Sequence, residues 1–308
     1  MNIALGSWAL VEGFDHKQTR KDSLQTLHYA LKRNIRHFDT AQGYSNGKSE
    51  QLIGHQMRRF RFTIPPKELT IATKIFLPHS PQKIRPLVET SLRRLLLSYI
   101  DILYIHWPDS SKEIAPYIEQ LTLLQQQGLI RHLGVSNFPS QMVQEVLDLT
   151  RIDYIQLPVS LLWRRSLTHL LPLAQKHSIQ LVAYSPLMMG LLGGKYRRKE
   201  DLASGDIRRS LFPFKGEYIQ AYHALLDQIE DIANKSNKSM SDVALQWVAS
   251  QSIDTLLLGS RTKEQLHSSL HALEGSLNLK EITLLNEASS LLDELISQSE
   301  DNPFFHHY

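Results

Sequence analysis

Four side chains with complementary acid and base chemistry stand where short apolar runs of the sequence end. They are Asp39, Tyr44, Lys74 and His106. The ordinary pKa of a tyrosine phenol is about 10, too high for an efficient proton donor near neutral pH, but a nearby ammonium group stabilises the phenolate and lowers that pKa. Lys74 is the candidate ammonium, and Asp39 is the carboxylate that would keep a buried Lys74 charged. These residues predict a proton-donating chain.

His106 extends this set because an imidazole can donate or accept a hydrogen bond at the oxygen that receives the proton. Each residue also has an ordinary structural explanation: Asp39 as a strand-end or helix-capping acid, Tyr44 as a rim aromatic, His106 as a core histidine. Lys74 fits such an explanation poorly, since a lysine within the apolar run TIATKIF needs a partner when buried. Together the four predict a site that protonates a carbonyl oxygen while another group attacks the carbonyl carbon.

Short apolar or β-branched runs that could position these side chains recur along the chain. They predict eight β-strands, at residues 2–5, 36–39, 69–74, 100–106, 130–135, 154–157, 180–184 and 255–259. Stretches of helical period separate the strands. In DSLQTLHYALKRN, for example, Leu24, Leu27 and Leu31 recur on one face of a helix.

This alternation predicts an α/β fold of the (β/α)8 TIM barrel type. Strands that alternate with helices pair in parallel, and eight such units in roughly 250 residues match the size of the closed barrel. We therefore predict one domain, 1–308, rather than two, and LGSWALVEGF lacks the GxGxxG turn that an open Rossmann sheet requires. Extra helices are predicted before the seventh barrel helix, at 217–237, and at the carboxyl terminus, at 282–296.

The composition excludes several classes of protein. The sequence has 308 residues, 42% of them hydrophobic, a net charge of +3 and no cysteine. It therefore has no disulfide, thiolate metal site or thiol nucleophile, and it shows no basic patch for nucleic acid or a membrane surface. The amino terminus does not read as a signal peptide, and no apolar run approaches the ~20 residues of a membrane span. We expect a cytoplasmic protein.

The longest irregular stretch runs over residues 186–216 and is rich in glycine, lysine and arginine. Loops of this length are uncommon in compact domains unless they are functional. We therefore predict that this segment is a lid over the site.

Several ordered motifs resemble those of the aldo-keto reductase family. They are FDTAQGYSNGKSE, IATKIF, ILYIHWPD, GLIRHLGVSNF, IQLPVSLLWRR, AYSPLMMGLLGGKY and LLLGSRTKEQL, and they span nearly the whole chain in the family's order. The resemblance implies a (β/α)8 barrel that binds NADPH without a Rossmann domain. It also implies that Tyr44 is the general acid in the reduction of an aldehyde or ketone, Lys74 tunes the phenol, Asp39 holds Lys74 and His106 orients the substrate.

The same resemblance implies contacts with the nicotinamide and pyrophosphate of NADPH. The carboxamide would be hydrogen-bonded by Ser136, Asn137 and Gln156, and the ring would stack on Tyr184. Small residues permit close backbone approach to the pyrophosphate. The loop at that position contains Ser185, Leu187, Gly190, Leu191 and Lys195.

The adenosine end of the cofactor is assigned by the resemblance to the residues after the last strand. These are Gly259, Ser260, Arg261 and Gln265. A helix start is a favourable position for an anion. Ser260 and Arg261 would hold the 2′-phosphate and favour NADPH over NADH.

Three positions depart from the family's pattern. Ser45 replaces a glycine after the tyrosine, Ser160 replaces an asparagine, and Ser269 replaces an asparagine that often contacts adenine. The adenine contacts are therefore expected to differ from those of the family. Since the chain begins almost at the first strand, we also expect the amino-terminal hairpin of many family barrels to be short or missing.

The partner implied is a small-molecule carbonyl substrate, with no nucleic acid and no membrane. Apolar groups expected at the mouth of the barrel are Trp8, Trp107, Trp163 and the terminal NPFFHHY. The sequence leaves the substrate, the direction of reaction and the oligomeric state open, and it is compatible with a monomer.

Two other functions are compatible with parts of the sequence. A cofactor-binding sensor or regulatory subunit could use the same scaffold, as some relatives associate with membrane channels, although the intact tetrad favours catalysis. A metal-dependent barrel hydrolase is disfavoured, because the 14 histidines form no HExxH motif and no HxH pair at a strand end. His306 and His307 lie in the carboxyl-terminal tail, and no metal site is predicted.

Overall fold

In the computed structural model, which describes residues 1–11, 18–60 and 64–296, the strands form a closed parallel barrel. The strands are β1 (Asn2–Gly6), β2 (His37–Asp39), β3 (Thr70–Ile75), β4 (Ile100–Ile105), β5 (Ile130–Ser136), β6 (Tyr154–Pro158), β7 (Gln180–Tyr184) and β8 (Thr255–Gly259). Each strand pairs with its neighbours in the chain, and β8 pairs with β1 to close the barrel. The predicted fold is confirmed, with strand ends displaced by at most one residue.

Helices surround the barrel. They are α1 (Trp8–Val11), α2 (Arg20–Lys32), α3 (Lys48–Phe60), α4 (Ile84–Leu95), α5 (Ala115–Gln126), α6 (Ser140–Leu149), α7 (Arg165–His177), α8 (Ile219–Ser236), α9 (Met240–Ala249), α10 (Lys263–Ala272) and α11 (Leu279–Ile296). The two extra helices predicted from the sequence correspond to α8 and α11. No helix within the described ranges is long and apolar enough to cross a membrane.

The strands are covered on both faces, as a parallel barrel requires. Every residue of β4 is buried, and its sequence IDILYI is apolar almost throughout. Side chains along a strand alternate between the barrel interior and the surrounding helices. Two small buried clusters occupy the interior apart from the main core: Ala4, Val182 and Leu257 form one, and Ala72, Ile102 and Tyr104 form the other.

This alternation decides which polar residues enter the barrel. Ala72 is in an interior cluster, so Lys74, two residues later on β3, points to the same side. The intervening residue, Thr73, points outward, where its hydroxyl donates a 2.8 Å hydrogen bond to Glu50 of α3. Local strand geometry therefore directs Lys74 toward a shared interior site.

The segment 186–216 consists of short turns that pack on α8 and α9 rather than one irregular loop. Short 3-10 turns occur at Met188–Gly193, which is kinked at Met189 and Gly190, and at Lys199–Asp201, Ile207–Ser210 and Phe212–Phe214. Arg208 is only 7% exposed, forms a salt bridge of 2.6 Å with Asp206 and donates a 2.8 Å hydrogen bond to the carbonyl oxygen of Met189. One buried arginine thus joins the middle of the segment to its beginning.

Candidate active site

Asp39 and Lys74 form a buried ion pair inside the barrel. Lys74 Nζ lies 2.5 Å from Asp39 Oδ1. The Lys74 side chain is 1% exposed and the Asp39 side chain is 3% exposed. The ammonium also donates a 2.9 Å hydrogen bond to the carbonyl oxygen of Thr40. Burial lowers the pKa of Lys74, and the Asp39 carboxylate opposes this lowering. The carboxylate therefore favours a charged amine where the barrel alone would favour a neutral one.

The Tyr44 hydroxyl lies beside this ion pair. Lys74 Nζ donates to it over 3.3 Å, and the ammonium is 5.0 Å from the centre of the phenol ring. Tyr44 is partly exposed and opens a 3-10 turn that ends at Gly47. The hydroxyl therefore connects a buried amine to the mouth of the barrel.

His106 follows directly after β4 and packs beside Tyr44. The Tyr44 and His106 ring centres are 5.7 Å apart in an edge-on arrangement. The Phe76 ring also packs on His106, with 4.7 Å between the ring centres. Burial lowers the pKa of His106 well below 6.5, and the Lys74 ammonium lowers it further. The imidazole is therefore neutral at neutral pH and can donate one hydrogen bond to a carbonyl oxygen.

These four predicted residues come together although they lie on separate strands and loops. Gln156 supports the group, because its Nε2 donates a 2.8 Å hydrogen bond to Asp39 Oδ2. Each oxygen of the Asp39 carboxylate thus has its own partner. The arrangement can deliver a proton from a phenol and stabilise the phenolate that remains.

Three residues assigned to the nicotinamide lie in one hydrogen-bonded group at the ends of β5 and β7. The Tyr184 hydroxyl donates a 2.6 Å bond to Asn137 Oδ1, and Asn137 Nδ2 lies 3.1 Å from Ser136 Oγ. Asn137 Nδ2 also donates to the main-chain oxygen of His106 over 3.0 Å. Asn137 has a φ of 64°, a conformation that asparagine tolerates better than most residues. This group is therefore fixed relative to the proton-donating residues.

The residues assigned to the pyrophosphate lie in a strained stretch of backbone. Positive φ values occur at Ser185 (54°), Met188 (44°), Met189 (54°) and Gly190 (86°). Leu187 is partly buried, Leu191 is buried, and Lys195 is exposed with Nζ 5.4 Å from the centre of the Tyr196 ring. Such strain persists where surrounding contacts impose it and is concentrated at binding sites.

The end of β8 combines a buried hydroxyl with a helix start. Ser260 Oγ is buried and has no hydrogen-bond partner in the described part of the chain. A Cβ added at Gly259 would meet no atom within 4 Å, so space opens beside it. The Gln265 side chain accepts a 2.9 Å hydrogen bond from the Arg261 main-chain N–H, and Thr262 caps α10. A buried hydroxyl without a partner indicates a binding position.

The predicted apolar groups at the mouth differ in their positions. Trp163 is 1% exposed and packs in the core, with its ring nitrogen bonded to Ser166, so its predicted contribution to the mouth is wrong. Trp8 begins α1, and Trp107 follows His106. The terminal NPFFHHY lies outside the described residues.

Phe76 is the residue at the mouth that sequence reasoning missed. It is 40% exposed, packs on His106, and would be 3.0 Å from a Cβ added at Gly43. The available signal was strand alternation, since Phe76 stands two residues after Lys74 and so projects to the same side. No group of three metal-ligating side chains occurs in the described part of the chain.

The partly buried His37, two residues before Asp39 on β2, predicts a loss of stability in acid. Burial lowers the pKa of His37 from 6.5 to about 4, although Asp39 raises it. Nε2 of His37 has no hydrogen-bond partner within the described ranges. As the pH falls, His37 therefore takes up a proton in the unfolded chain before it does so in the folded chain. The contribution of neutral His37 to the free energy of unfolding is complete above pH 6.5 and is lost as the pH falls toward 4.

Between pH 7 and about 4, we expect the free energy of unfolding of His37→Gln to fall by roughly 3 kcal/mol less than that of the wild type. Denaturant unfolding at several pH values between 7 and about 4 measures this decrease. His55→Gln, at an exposed position of α3, is the control. Identical pH slopes for His37→Gln and the wild type would contradict the assignment.

Comparisons with known proteins agree on the class of this barrel. The sequence model described as the Aldo/keto reductase family matches residues 2–290. The NADH-specific methylglyoxal reductase of Escherichia coli (strain K12) is 29% identical over 316 residues, covering 94% of this chain and 95% of the relative. The structure of a glycerol dehydrogenase from Gluconobacter oxydans has 31% sequence identity and a TM-score of 0.79, covering 99% of this chain and 94% of its own.

A further relative is named as a channel subunit rather than as an enzyme. A probable voltage-gated potassium channel subunit beta of Arabidopsis thaliana is 26% identical over 295 residues, covering 88% of this chain and 87% of the relative.

Proposed function

The chain belongs to the aldo/keto reductase family, and from this premise we propose that it reduces an aldehyde or ketone to an alcohol, with Tyr44 as the general acid and NADPH as the cofactor. The observation that carries the proposal is the position of Lys74 Nζ, 2.5 Å from Asp39 and 3.3 Å from the Tyr44 hydroxyl. A buried ion pair beside a partly exposed phenol can stabilise the phenolate and so allow the phenol to donate its proton.

In the proposed reaction Tyr44 donates its hydroxyl proton to the substrate carbonyl oxygen. The Lys74 ammonium stabilises the resulting phenolate, and Asp39 keeps Lys74 charged inside the barrel. Neutral His106 donates a hydrogen bond to the same substrate oxygen and orients it. General acid catalysis of this kind contributes ~10²–10⁴-fold to the rate.

The residues along the barrel mouth fit a nicotinamide dinucleotide. The buried Ser260 hydroxyl lacks a partner among the described residues, and the Tyr184–Asn137–Ser136 group has amide and hydroxyl atoms that suit a carboxamide. We assign Ser136, Asn137, Gln156 and Tyr184 to the nicotinamide, the turn 185–195 to the pyrophosphate, and residues 259–265 to the adenosine end. When bound, a reduced nicotinamide supplies the hydride that attacks the carbonyl carbon.

The preference for NADPH depends on Arg261, beside the buried Ser260. We expect Arg261→Ala to raise the Kd for NADPH about 10–100-fold, because a charge-assisted hydrogen bond contributes roughly 1.5–3 kcal/mol. The Kd for NADH should change little, since NADH lacks the 2′-phosphate. Titration of the wild type and the variant with both cofactors measures this preference.

Arg151→Ala is the control for the loss of an arginine, because that side chain is 81% exposed before β6. Equal affinity of the wild type for NADPH and NADH would rule out the phosphate assignment. That result would align this chain with the NADH-specific methylglyoxal reductase among its relatives.

We propose a single barrel, 1–308, acting on a small-molecule carbonyl. The names of two relatives refer to methylglyoxal and glycerol, both three-carbon molecules with oxygen on adjacent carbons, so small oxygenated aldehydes and ketones are the first substrates to assay.

A second candidate function is that of a cofactor-binding regulatory subunit, supported by the likeness to a potassium channel subunit beta. The two functions differ in turnover. Tight cofactor binding without Tyr44-dependent reduction of any small carbonyl would favour the regulatory role. Reduction that depends on Tyr44 would favour the enzyme.

A further inference from the structure

The turn that carries Tyr44 has an unusual backbone. Three successive residues after it have positive φ: Ser45 (47°), Asn46 (54°) and Gly47 (84°). Two of the three have side chains, for which this conformation is unfavourable. Such a turn requires neighbouring contacts that hold it in place.

Arg94 of α4 supplies one of these contacts. A Cβ added at Gly47 would collide with the Arg94 guanidinium, so the side chain packs directly against the turn. Close packing of α3 on the end of α4 makes this possible, because a Cβ added at Gly54 would lie 2.5 Å from the Arg94 carbonyl oxygen. Both glycines are therefore needed to bring Arg94 beneath the turn.

Glu50 connects Arg94 to the strand of Lys74. Its carboxylate is fully buried and forms a 3.2 Å salt bridge with Arg94 Nη1. Its other oxygen accepts a 2.8 Å hydrogen bond from Thr73, the residue before Lys74 on β3. A buried carboxylate is costly unless it is paired and hydrogen-bonded. One partner of Glu50, Thr73, lies on the strand of Lys74, and the other, Arg94, packs against the turn that begins at Tyr44.

The preceding residue, Ser49, makes a similar connection to the strand of Asp39. Its hydroxyl lies 2.6 Å from Ser7 Oγ and accepts a 2.8 Å bond from Thr40. Ser7 Oγ in turn donates a 2.7 Å bond to the Asp39 carbonyl oxygen. The first turn of α3 therefore contacts β3 and the end of β2, and it continues directly from the Tyr44 turn.

We infer that Glu50 and Arg94 are positioning residues that hold the Tyr44–Gly47 turn against β3 and thereby set the distance between the Tyr44 hydroxyl and Lys74 Nζ. This inference rests on the proposed function of Tyr44 as proton donor. Neither side chain contacts the substrate in this role. The ion pair acts on the rate through the 3.3 Å contact between Tyr44 and Lys74.

Removal of the Arg94 charge is expected to slow the chemical step without weakening cofactor binding. In Arg94→Met, the single-turnover rate of reduction of an aromatic aldehyde should fall about 10–100-fold, because small displacements of a catalytic group have effects of this size. The Kd of NADPH should stay within about twofold, since the hydrogen bonds of Arg94 and Glu50 involve none of the residues assigned to the cofactor.

The pH dependence of the same rate distinguishes positioning from general destabilisation. Among the described residues, the charged groups that face Tyr44 are Lys74, Asp39 and, when protonated, His106, and the Arg94–Glu50 ion pair lies against the same turn. A longer distance from Lys74 stabilises the phenolate less, so Tyr44 stays protonated to higher pH. The alkaline limb of the pH–rate profile should therefore move to higher pH in Arg94→Met.

Matched variants test each connection. Arg93→Met removes a neighbouring arginine that is exposed on the same helix and should leave rate and pH profile unchanged. Arg94→Lys should recover part of the rate, because it restores the charge beside Glu50. Glu50→Gln and Gly47→Ala act on the same contacts and should show the same slower rate and the same shift of the alkaline limb to higher pH. These two variants test the inference if Arg94→Met does not fold.

Tyr44→Phe, measured in parallel, separates the two proposals. A normal rate in Tyr44→Phe refutes the proposed function, and the positioning role with it. An inactive Tyr44→Phe together with a wild-type rate and pH profile in the Arg94, Glu50 and Gly47 variants overturns the positioning role alone. A parallel loss of cofactor affinity and rate, with an unmoved alkaline limb, also overturns it, because that pattern indicates a loosened fold.

Discussion

Tyr44→Phe is expected to lower the rate of carbonyl reduction by ~10²–10⁴-fold, the contribution of a positioned general acid. The substitution removes only the hydroxyl and keeps the ring that packs edge-on against His106. Lys74 loses one acceptor at 3.3 Å but retains Asp39 and the Thr40 carbonyl oxygen. Folding stability should therefore change by no more than about 1 kcal/mol.

Steady-state and single-turnover assays with NADPH and a small aldehyde measure the effect, together with a titration of the cofactor. The Kd of NADPH should match that of the wild type. Tyr29→Phe removes a hydroxyl from an exposed contact with His267 and is the matched control. Normal turnover in Tyr44→Phe would exclude Tyr44 as the proton donor.

Lys74→Met is expected to abolish most activity and also to destabilise the protein. It leaves the Asp39 carboxylate buried without its counter-ion, and the loss of one partner of a buried pair costs about 3–5 kcal/mol. The Gln156 side chain still donates to Asp39 but carries no charge. The free energy of unfolding from denaturant titration measures this loss.

The double variant Asp39→Asn/Lys74→Met separates stability from catalysis. Neither side chain is charged, and the new amide can still accept from Gln156, so most of the lost free energy of unfolding should return. The reduction rate should stay low, because no ammonium stabilises the phenolate. A double variant that recovers turnover would refute the role of Lys74, and an unaltered stability in Lys74→Met would refute the energetic account of the pair.

Much of the site could be predicted from sequence because side-chain direction in a strand is a local property. Lys74 lies two residues after Ala72 on a strand that is buried on both faces, so its inward position follows from the two-residue period of the strand. The same holds for Asp39 at the end of β2 and for the position of His106 directly after β4. Parallel strands in a barrel then bring their carboxyl ends to one face.

The failures of prediction concern packing between distant segments. Trp163 was expected at the mouth, but its hydrogen bond to Ser166 and its packing place it in the core. The positions of Glu50 and Arg94 beneath the Tyr44 turn were not predicted, since a glutamate or an arginine on an amphipathic helix usually faces solvent. Glu50 is instead fully buried against Arg94, which lies 44 residues further along the chain.

The order of strands and helices, the closed barrel and the convergence of Asp39, Tyr44, Lys74 and His106 were determined by sequence alone, because periodicity and strand ends are local and repeated. The tertiary structure alone decided how closely α3 and α4 approach at Gly54, and thus that Arg94 reaches Gly47. It also decided that Glu50 is buried against β3. Helix contacts of this kind depend on shape complementarity between remote segments, which no local pattern of residues encodes.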